Sequence, residues 1–414
     1  MQEEVLKSDG LPVVEELVGL HSINPFIKEN SSARSYMMSS HLSQSLTPLF
    51  SEEKIIQTGL ETQLGQNTHN KKIDDDVKIL KIIKRYNGIS AGNVNKCVET
   101  LLITENLETG LIDYISIPYY NKLHTEFGFK YEIKPILDNL RTGDILKAGT
   151  ILADSPGVKE GGGYGYGVNA NLCLLNIPET AEDGVIISKS LSEKLSYRSY
   201  EERAIEFGSK AFPLNIYGDE NEYKPFPEIG DLVCDDSILC ALRNYDKELS
   251  PGLTSVNDVR DFNPMFDNAV YVKAPGREVT LQGEKFYTGR VVDVKVYSNP
   301  KYKREVYSGV SGFVDKYANA LKIYYKSILE AYEDIKTNHT HRHGNINLNL
   351  SNKLHRLIID AMAIAGADSK KISYSNRNET MDLYRVVFVV EYIGLSSTGT
   401  LTISNKISDS HGNL

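Results

Sequence analysis

The sequence predicts an α+β protein in which β-structure dominates. β-branched and apolar residues gather in short runs between residues 101 and 296, and the run at 289–296 alternates as a half-exposed strand does. Two longer segments, 313–336 and 351–365, repeat apolar residues every three or four positions, which is typical of amphipathic helices. A chain of 414 residues has room for two or three domains with a substantial core.

Short helices are predicted in the first part of the chain. Residues 8–19 carry Ser8 or Asp9 as a cap and end at a glycine, which favours a helix. Residues 33–38 continue a second helical pattern. The sequence Thr-Gly-Leu-Glu at 58–61 then closes this unit in a turn.

Strands are predicted through the middle of the chain. The charged patch at 70–76 indicates a solvated loop, whereas 77–86 fits a strand and a short helix equally well. Residues 101–117 are rich in β-branched side chains, and 143–155 indicates two short strands joined at a turn. The apolar run at 185–187 predicts a buried strand followed by a short helix.

Two further regions are distinguished by composition. The glycine-rich stretch at 161–167 lacks the Lys-Ser/Thr pair of a phosphate-binding P-loop, so we interpret it as an ordinary loop. Residues 211–300 contain more prolines, short alternating runs and polar turns. This change of character predicts a separate β-rich module.

The two amphipathic segments predict a helical hairpin around a polar loop at 337–350, with tyrosines in the hairpin core. Three histidines in that loop, His339, His341 and His343, have the spacing of possible metal ligands. Histidines in a polar interhelical loop are more often exposed to solvent, and we favour that interpretation. After the hairpin, an apolar strand at 386–390 leads towards a lysine and a His-Gly-Asn turn.

Composition limits the class of protein. Hydrophobic residues make up 41% and charged residues 24%, as in ordinary globular proteins, and no apolar run is long enough for a membrane span. The acidic N-terminus lacks a signal region, so we expect an intracellular protein. A net charge of −9 argues against a free-standing nucleic-acid binder, although clustered lysines and arginines can still line a basic channel. The four cysteines form no C-x-x-C pair, which argues against a zinc ribbon.

Several short motifs follow one another along the chain. They are Pro-Phe at 25–26 with Arg34 and Gln44, Thr-Gly-Leu-Glu at 58–61, Gly-Asp-Ile at 143–145 with Leu-Ala-Asp-Ser-Pro at 152–156, Gly-Val-Asn at 167–169, Glu-Asp-Gly-Val-Ile-Ile-Ser at 182–188, the strand at 289–297, and Lys406 with His-Gly-Asn at 411–413. In this order they resemble the β subunit of multisubunit DNA-directed RNA polymerases, in the form that giant tailed phages split among several chains. Each motif alone is weak, and their shared order carries the resemblance.

The resemblance implies a division of the chain into segments. These would be an N-terminal helix at 1–18, hybrid-binding and barrel elements at 19–210, a wall-and-flap module at 211–300 with its tip at 249–268, a helical hairpin insertion at 301–380, and a return strand with a basic active-site loop at 381–414.

Three implied site residues would act on the nucleotide. Arg34 would contact the triphosphate, since a planar guanidinium suits bidentate phosphate recognition. Its structural alternative is a helix-surface arginine paired with Glu29. Glu182 and Asp183 match an acidic pair near the second magnesium ion, where they would orient water or triphosphate without holding the ion directly. Their structural alternative is a carboxylate that caps the next helix.

The other implied site residues would contact nucleic acid. Gln44 matches a glutamine near the RNA–DNA hybrid, and Lys406 would hold the RNA backbone near its 3′ end, with His411 in the same loop. Without the resemblance, Gln44 and Lys406 would be ordinary solvated residues. Leu414 stands where the family has a second lysine, and we expect an intron or gene break there.

The implied enzyme needs partners. Its Mg²⁺ would be held mainly by a β′-like chain with the motif Asp-Phe-Asp-Gly-Asp, which this sequence lacks. The other implied partners are the remaining β-like fragments, a promoter-specificity factor, the DNA template, RNA and nucleoside triphosphates, in the cytoplasm of an infected cell or in the virion, and no membrane. The alternative is a non-catalytic structural or nucleic-acid-binding fragment derived from such a subunit. A hydrolase built on Glu182 and Asp183 is a third and weaker hypothesis.

Overall fold

The computed structural model describes residues 19–44, 47–66, 70–86, 97–124, 127–159, 161–173, 185–208, 211–233, 237–244, 271–273, 280–281, 284–285, 289–299, 308–343, 348–365, 382–395 and 401–403. Within these ranges the protein is a strand-rich α+β molecule with several antiparallel sheets, which confirms the predicted class. None of the described helices is long and apolar enough to cross a bilayer.

The elements are as follows. The helices are α1 (Ser32–Gln44), α2 (Glu61–Gln66), α3 (Pro135–Asn139), α4 (Lys189–Lys194), α5 (Ser308–His343) and α6 (Asn352–Ala365), with 3-10 turns at Gly19–Ile23 and Ile27–Glu29. The strands are β1 (Lys71–Lys72), β2 (Val77–Tyr86), β3 (Cys97–Asn106), β4 (Ile112–Pro118), β5 (Tyr120–His124), β6 (Phe127–Lys130), β7 (Glu132–Ile133), β8 (Ile145–Leu146), β9 (Ile151–Asp154), β10 (Val185–Ile187), β11 (Ser196–Phe207), β12 (Ala211–Pro213), β13 (Ile238–Asn244), β14 (Tyr271–Lys273), β15 (Thr280–Leu281), β16 (Glu284–Lys285), β17 (Arg290–Ser298), β18 (Tyr384–Leu395) and β19 (Leu401–Ile403).

The first large sheet is antiparallel, with the strand order β4-β3-β2-β8. The segment that fitted strand and helix equally is therefore a strand, β2. Leu101, Leu102 and Ile103 are all buried in succession, because one face of the sheet packs on β9 and the other on α5 and α6. A sheet covered on both faces loses the alternation that a half-exposed strand shows.

The predicted solvated loop at 70–76 is wrong for its first residues. Lys71–Lys72 pairs with β9 in the sheet β1-β9-β7, and the next residue, Ile73, is buried. The sequence does not indicate this strand, because two lysines give no apolar pattern and only their backbone groups take part in the pairing. The two strands predicted at 143–155 are confirmed as β8 and β9, which belong to different sheets.

The second large sheet has the order β11-β18-β17 and is also antiparallel. Val386, Phe388 and Val390 of its central strand are fully buried against β13 and the first turns of α5. This sheet brings together strands from three of the segments implied by the resemblance. The segment boundaries themselves stay predictions.

The predicted helical hairpin is confirmed, and its first helix is longer than expected. α5 runs to His343, so the first half of the predicted loop at 337–350 is helical. Ser351 caps α6, since its Oγ accepts a hydrogen bond from the Leu354 N–H at 3.0 Å. Tyr317 and Tyr324 lie in the core, as the sequence predicted.

Some predicted features cannot be compared with the structure. The helix at 8–19 lies almost entirely outside the described residues, as does the flap tip at 249–268. Within the described ranges, no group of three or more histidine, cysteine or acidic side chains is arranged to hold a metal ion.

Candidate functional site

Two strands far apart in the sequence form a parallel pair at the centre of the candidate site. Val185 of β10 pairs with Leu401 of β19, and Ile187 pairs with Ile403. β10 starts two residues after Asp183, and β19 ends three residues before Lys406. The strand that follows the acidic motif is thus hydrogen-bonded to the strand that precedes the basic loop.

The same two regions meet a second time. After β10 the chain passes through α4 into β11, and before β19 it passes through β18. β11 and β18 pair over their whole length, from Ser196 opposite Leu395 to Phe207 opposite Tyr384. The long antiparallel ladder therefore holds the short parallel pair in place, since a two-stranded pair alone is marginally stable in water.

The turn after β10 is fixed by a helix cap. Ser188 has extended backbone angles, and its Oγ accepts a hydrogen bond from the Leu191 N–H at 3.2 Å. This confirms the short helix that the sequence predicts after the buried strand. Here a serine caps α4. The carboxylate-cap alternative for Glu182 and Asp183 is therefore not needed to begin this helix.

Four of the predicted site residues lie outside the described residues: Glu182, Asp183, Lys406 and His411. Gln44 is the last residue of α1, and its side chain also lies outside the described part of the chain. Their roles stay predictions.

Arg34 is the one predicted site residue whose side chain the structure describes. It lies in the first turn of α1, where its backbone N–H donates to the Ser31 Oγ at 3.4 Å. The guanidinium is exposed, and its Nη1 lies 3.9 Å from the sulfur of Met37. Among the described residues no carboxylate pairs with Arg34, so the alternative ion pair with Glu29 is not formed.

The position of Arg34 has an electrostatic consequence. The first turn of α1 contains no acidic residue, and the N-terminus of a helix carries a partial positive charge from its free N–H groups. A cation there is unfavourable for the helix itself, so helix stability does not explain Arg34. The arrangement is instead suited to a phosphate or another anion.

The Pro-Phe motif contains a strained residue that the sequence did not reveal. Phe26 has φ 59° and ψ 31°, in the left-handed region that side chains with a Cβ avoid. Its ring is 60% exposed, so no burial compensates for this strain. Strain of this kind collects at functional sites, and Phe26 lies eight positions before Arg34.

The Thr-Gly-Leu-Glu motif forms a turn around a buried carboxylate. Glu61 accepts hydrogen bonds from the backbone N–H groups of Thr58 at 3.0 Å and Gly59 at 2.9 Å, and Lys54 lies 2.9 Å from the same carboxylate. Burial alone would raise the pKa of Glu61, but these donors lower it from 4.5 to about 2. This motif therefore has a structural role.

The Gly-Val-Asn motif also connects two segments. Asn169 donates from Nδ2 to the carboxylate of Glu52 at 3.1 Å and to the carbonyl of Glu53 at 2.8 Å, and it accepts from the Ile55 N–H at 3.2 Å. The backbone N–H of Glu52 donates to the Gly167 carbonyl at 2.7 Å. The segments that follow α1 and the glycine-rich loop are thus held side by side.

A buried ionic cluster joins the two large sheets, and sequence reasoning missed it. Arg85 of β2 forms a two-point contact with Asp293 of β17, at 3.2 and 2.7 Å, and Tyr120 donates to the same carboxylate at 2.9 Å. Burial would raise the pKa of Asp293, but Arg85, Lys295 and Tyr120 hold it below its usual value. The cluster has a structural explanation and belongs to the fold.

Comparisons with other proteins add no family name: no family model matches the chain, and no curated protein matches it. The motif resemblance therefore rests on the residues of this chain alone.

Proposed function

We propose that this chain is part of the β-like catalytic subunit of a multisubunit DNA-directed RNA polymerase, inactive without a β′-like partner. The observation that carries the proposal is the parallel pairing of β10 with β19. The acidic motif directly precedes one strand and the basic loop directly follows the other, and both motifs resemble those of the same active site. If the two motifs resembled the polymerase site only by chance, there would be no reason for the strands next to them to pair with each other.

The exposed guanidinium of Arg34 supports the same proposal. Nucleotidyl transfer depends mainly on positioning and on cations that stabilise phosphate charge. Arg34 offers such a cation at a helix N-terminus, and no described carboxylate neutralises it. In the proposed enzyme it contacts the triphosphate, Glu182 and Asp183 lie near the second metal ion, and Gln44, Lys406 and His411 contact nucleic acid.

The proposed enzyme needs Mg²⁺, and the described residues do not supply a ligand set for it. By resemblance, the ion would be held mainly by the Asp-rich motif of a β′-like partner. In this chain, Asp183 would orient water or triphosphate beside the ion.

Exposed apolar side chains support assembly with partner chains. Between residues 26 and 56 the exposed large apolar residues are Phe26, Ile27, Tyr36, Met37, Leu49, Phe50, Ile55 and Ile56. Ile55 is 82% exposed and Phe50 is 63% exposed. A concentration of such side chains on one part of a chain is typical of a protein–protein interface.

The first experiment tests assembly and activity together. The full chain is co-expressed with the other β-like and β′-like chains of its source, and the complex is purified through a tag on this chain. We expect a partner with the Asp-Phe-Asp-Gly-Asp motif to co-purify, and the complex to extend an RNA primer on a DNA template with Mg²⁺. If the complex forms but the chain is dispensable for extension, it is the non-catalytic fragment of the alternative hypothesis. If no such partner associates, the polymerase proposal is wrong.

The second experiment tests Arg34 in the reconstituted enzyme. Arg34→Ala should raise the nucleotide concentration needed for half-maximal extension by about 10- to 100-fold, because a charge-assisted hydrogen bond contributes about 1.5–3 kcal/mol. Promoter binding should not change. Arg356→Ala removes an exposed arginine from α6 and is the matched control. An unchanged nucleotide requirement would remove Arg34 from the site.

The third experiment tests the basic loop. Lys406→Ala should slow extension at saturating nucleotide without preventing assembly. A positive charge near the RNA 3′ end stabilises the transition state of nucleotide addition more than it stabilises the enzyme with its substrates bound. Extension rates equal to those of the unaltered enzyme would contradict the assignment of Lys406.

A further inference from the structure

A cleft of about 740 Å³ lies between the end of α1, residues 47–51, the β5–β6 hairpin and the glycine-rich loop. We call it the aromatic cleft, because Tyr119, Tyr164 and Tyr166 line it. Its volume falls within the range of about 300–1,000 Å³ that is usual for small-molecule sites. Arg34 does not line it, so the aromatic cleft is separate from the nucleotide contact proposed above.

Two half-buried lysines in the aromatic cleft lack a carboxylate partner among the described residues. The Lys130 Nζ lies 4.5 Å from the centre of the Tyr119 ring, and Lys159 donates to the Ser51 hydroxyl at 2.8 Å. Taking a cation partly out of water is unfavourable unless an opposite charge compensates for it. An anion bound from outside the chain would therefore compensate for the charge of the two lysines.

The remaining charges of the wall do not cancel this excess. Arg198 also lines the aromatic cleft, and its Nε lies 3.1 Å from a carboxylate oxygen of Glu391. Glu132 is the carboxylate that lines the cleft, and it is exposed at the rim. The two lysines and the one carboxylate together give the wall of the cleft a net positive charge.

The aromatic side of the cleft contains an unsatisfied hydroxyl. Tyr164 and Tyr166 meet edge to face with ring centres 4.3 Å apart. The Tyr166 hydroxyl oxygen is buried and has no hydrogen-bond partner within the described part of the protein. Because this oxygen is already shielded from solvent, a ligand in the cleft would contact the rings of the two tyrosines and not the Tyr166 hydroxyl.

We propose that the aromatic cleft binds a nucleoside phosphate, with the base against Tyr164 and Tyr166 and the phosphate on Lys130 and Lys159. Aromatic side chains provide stacking or edge contacts for any base, and lysines bind phosphate as point charges. This site goes beyond the proposed function and does not depend on it, because its test uses this chain alone.

The test is calorimetric titration of the purified full chain with ATP, GTP, adenosine and tripolyphosphate. We expect saturable binding of a nucleotide, at least tenfold tighter than binding of adenosine or tripolyphosphate, and weaker binding at higher salt. Replacing Lys130 and Lys159 together by glutamine should lower affinity at least tenfold. Lys322→Gln, which alters an exposed lysine of α5, should leave it unchanged.

Two further variants keep the result decisive. Tyr166→Leu removes the ring that the base would contact, so affinity should fall several-fold. Arg356→Ala, which alters an exposed arginine of α6, should leave binding in the aromatic cleft unchanged. The proposal is overturned by the absence of saturable nucleotide binding, by equally tight binding of tripolyphosphate, or by an affinity that the cleft variants leave unchanged. If the double lysine variant does not fold, Lys130→Gln alone decides the question, and it should lower affinity several-fold.

Discussion

Glu61 is the residue whose role in the fold is clearest. Its side chain is 4% exposed and accepts hydrogen bonds from the backbone N–H groups of Thr58 and Gly59, just before α2, while Lys54 balances its charge. Gly59 has φ 91°, so the turn needs a residue without a Cβ at that position. The motif Thr-Gly-Leu-Glu is therefore one interdependent turn.

Glu61→Gln should destabilise the protein by about 2–3 kcal/mol at neutral pH, because a buried charge-assisted cluster loses its anion. The folded pKa of about 2 lies below the ordinary 4.5, so this stabilisation is present above pH 4.5 and is lost as the pH falls towards 2. Urea unfolding at neutral and acidic pH measures it. Glu29→Gln, at an exposed glutamate, is the control. The assigned pKa would be contradicted if the difference in unfolding free energy between the unaltered protein and Glu61→Gln did not decrease at acidic pH.

At the scale of elements, the two large sheets are joined by the contact of Arg85 with Asp293. Tyr120 donates to the same carboxylate, and Glu99 lies 3.3 Å from the Arg85 Nε. All these groups are buried or half-buried. Removing one member of such a cluster leaves an unpaired charge inside the protein.

Arg85→Met should destabilise the protein by about 3–5 kcal/mol, since Asp293 would remain buried without its cation. Adding Asp293→Leu to that variant should restore part of the loss, because the second change removes the unpaired charge. Thermal unfolding of the single and double variants measures both steps. Lys81→Met breaks the exposed pair of Lys81 with Asp334 and should cost less than about 1 kcal/mol. A double variant as unstable as the sum of its single changes would rule out this coupling.

Local sequence predicted the elements that depend on local signals. The amphipathic repeats predict α5 and α6, and the apolar run at 185–187 predicts β10. The contact of Arg85 with Asp293 could not be found in this way, because the two residues are 208 positions apart. Lys71–Lys72 was also missed, since strand pairing there uses backbone groups and leaves no apolar pattern. For the candidate site, the motifs were visible in the sequence, and the pairing of β10 with β19 was not.

For the whole molecule, the distribution of exposed apolar residues is uneven. The part of the chain around α1 exposes Phe50 and Ile55, although the neighbouring backbone is held by Asn169 and Gly167. An ordered backbone with exposed apolar side chains differs from a segment that has simply failed to fold. This combination favours a surface that is covered in a larger assembly.

Ile55→Asp should therefore weaken assembly with the partner chains and leave the stability of this chain within about 0.5 kcal/mol, because an 82% exposed side chain contributes little to the core. We expect recovery of the tagged complex to fall at least tenfold. Ile323→Asp is the matched control, since Ile323 is a 62% exposed isoleucine on α5. By the resemblance, α5 belongs to the helical hairpin insertion. Equal recovery with both variants would show that the surface around α1 has no special part in assembly. A large loss of stability with Ile55→Asp would instead show that this side chain serves the fold of the chain itself.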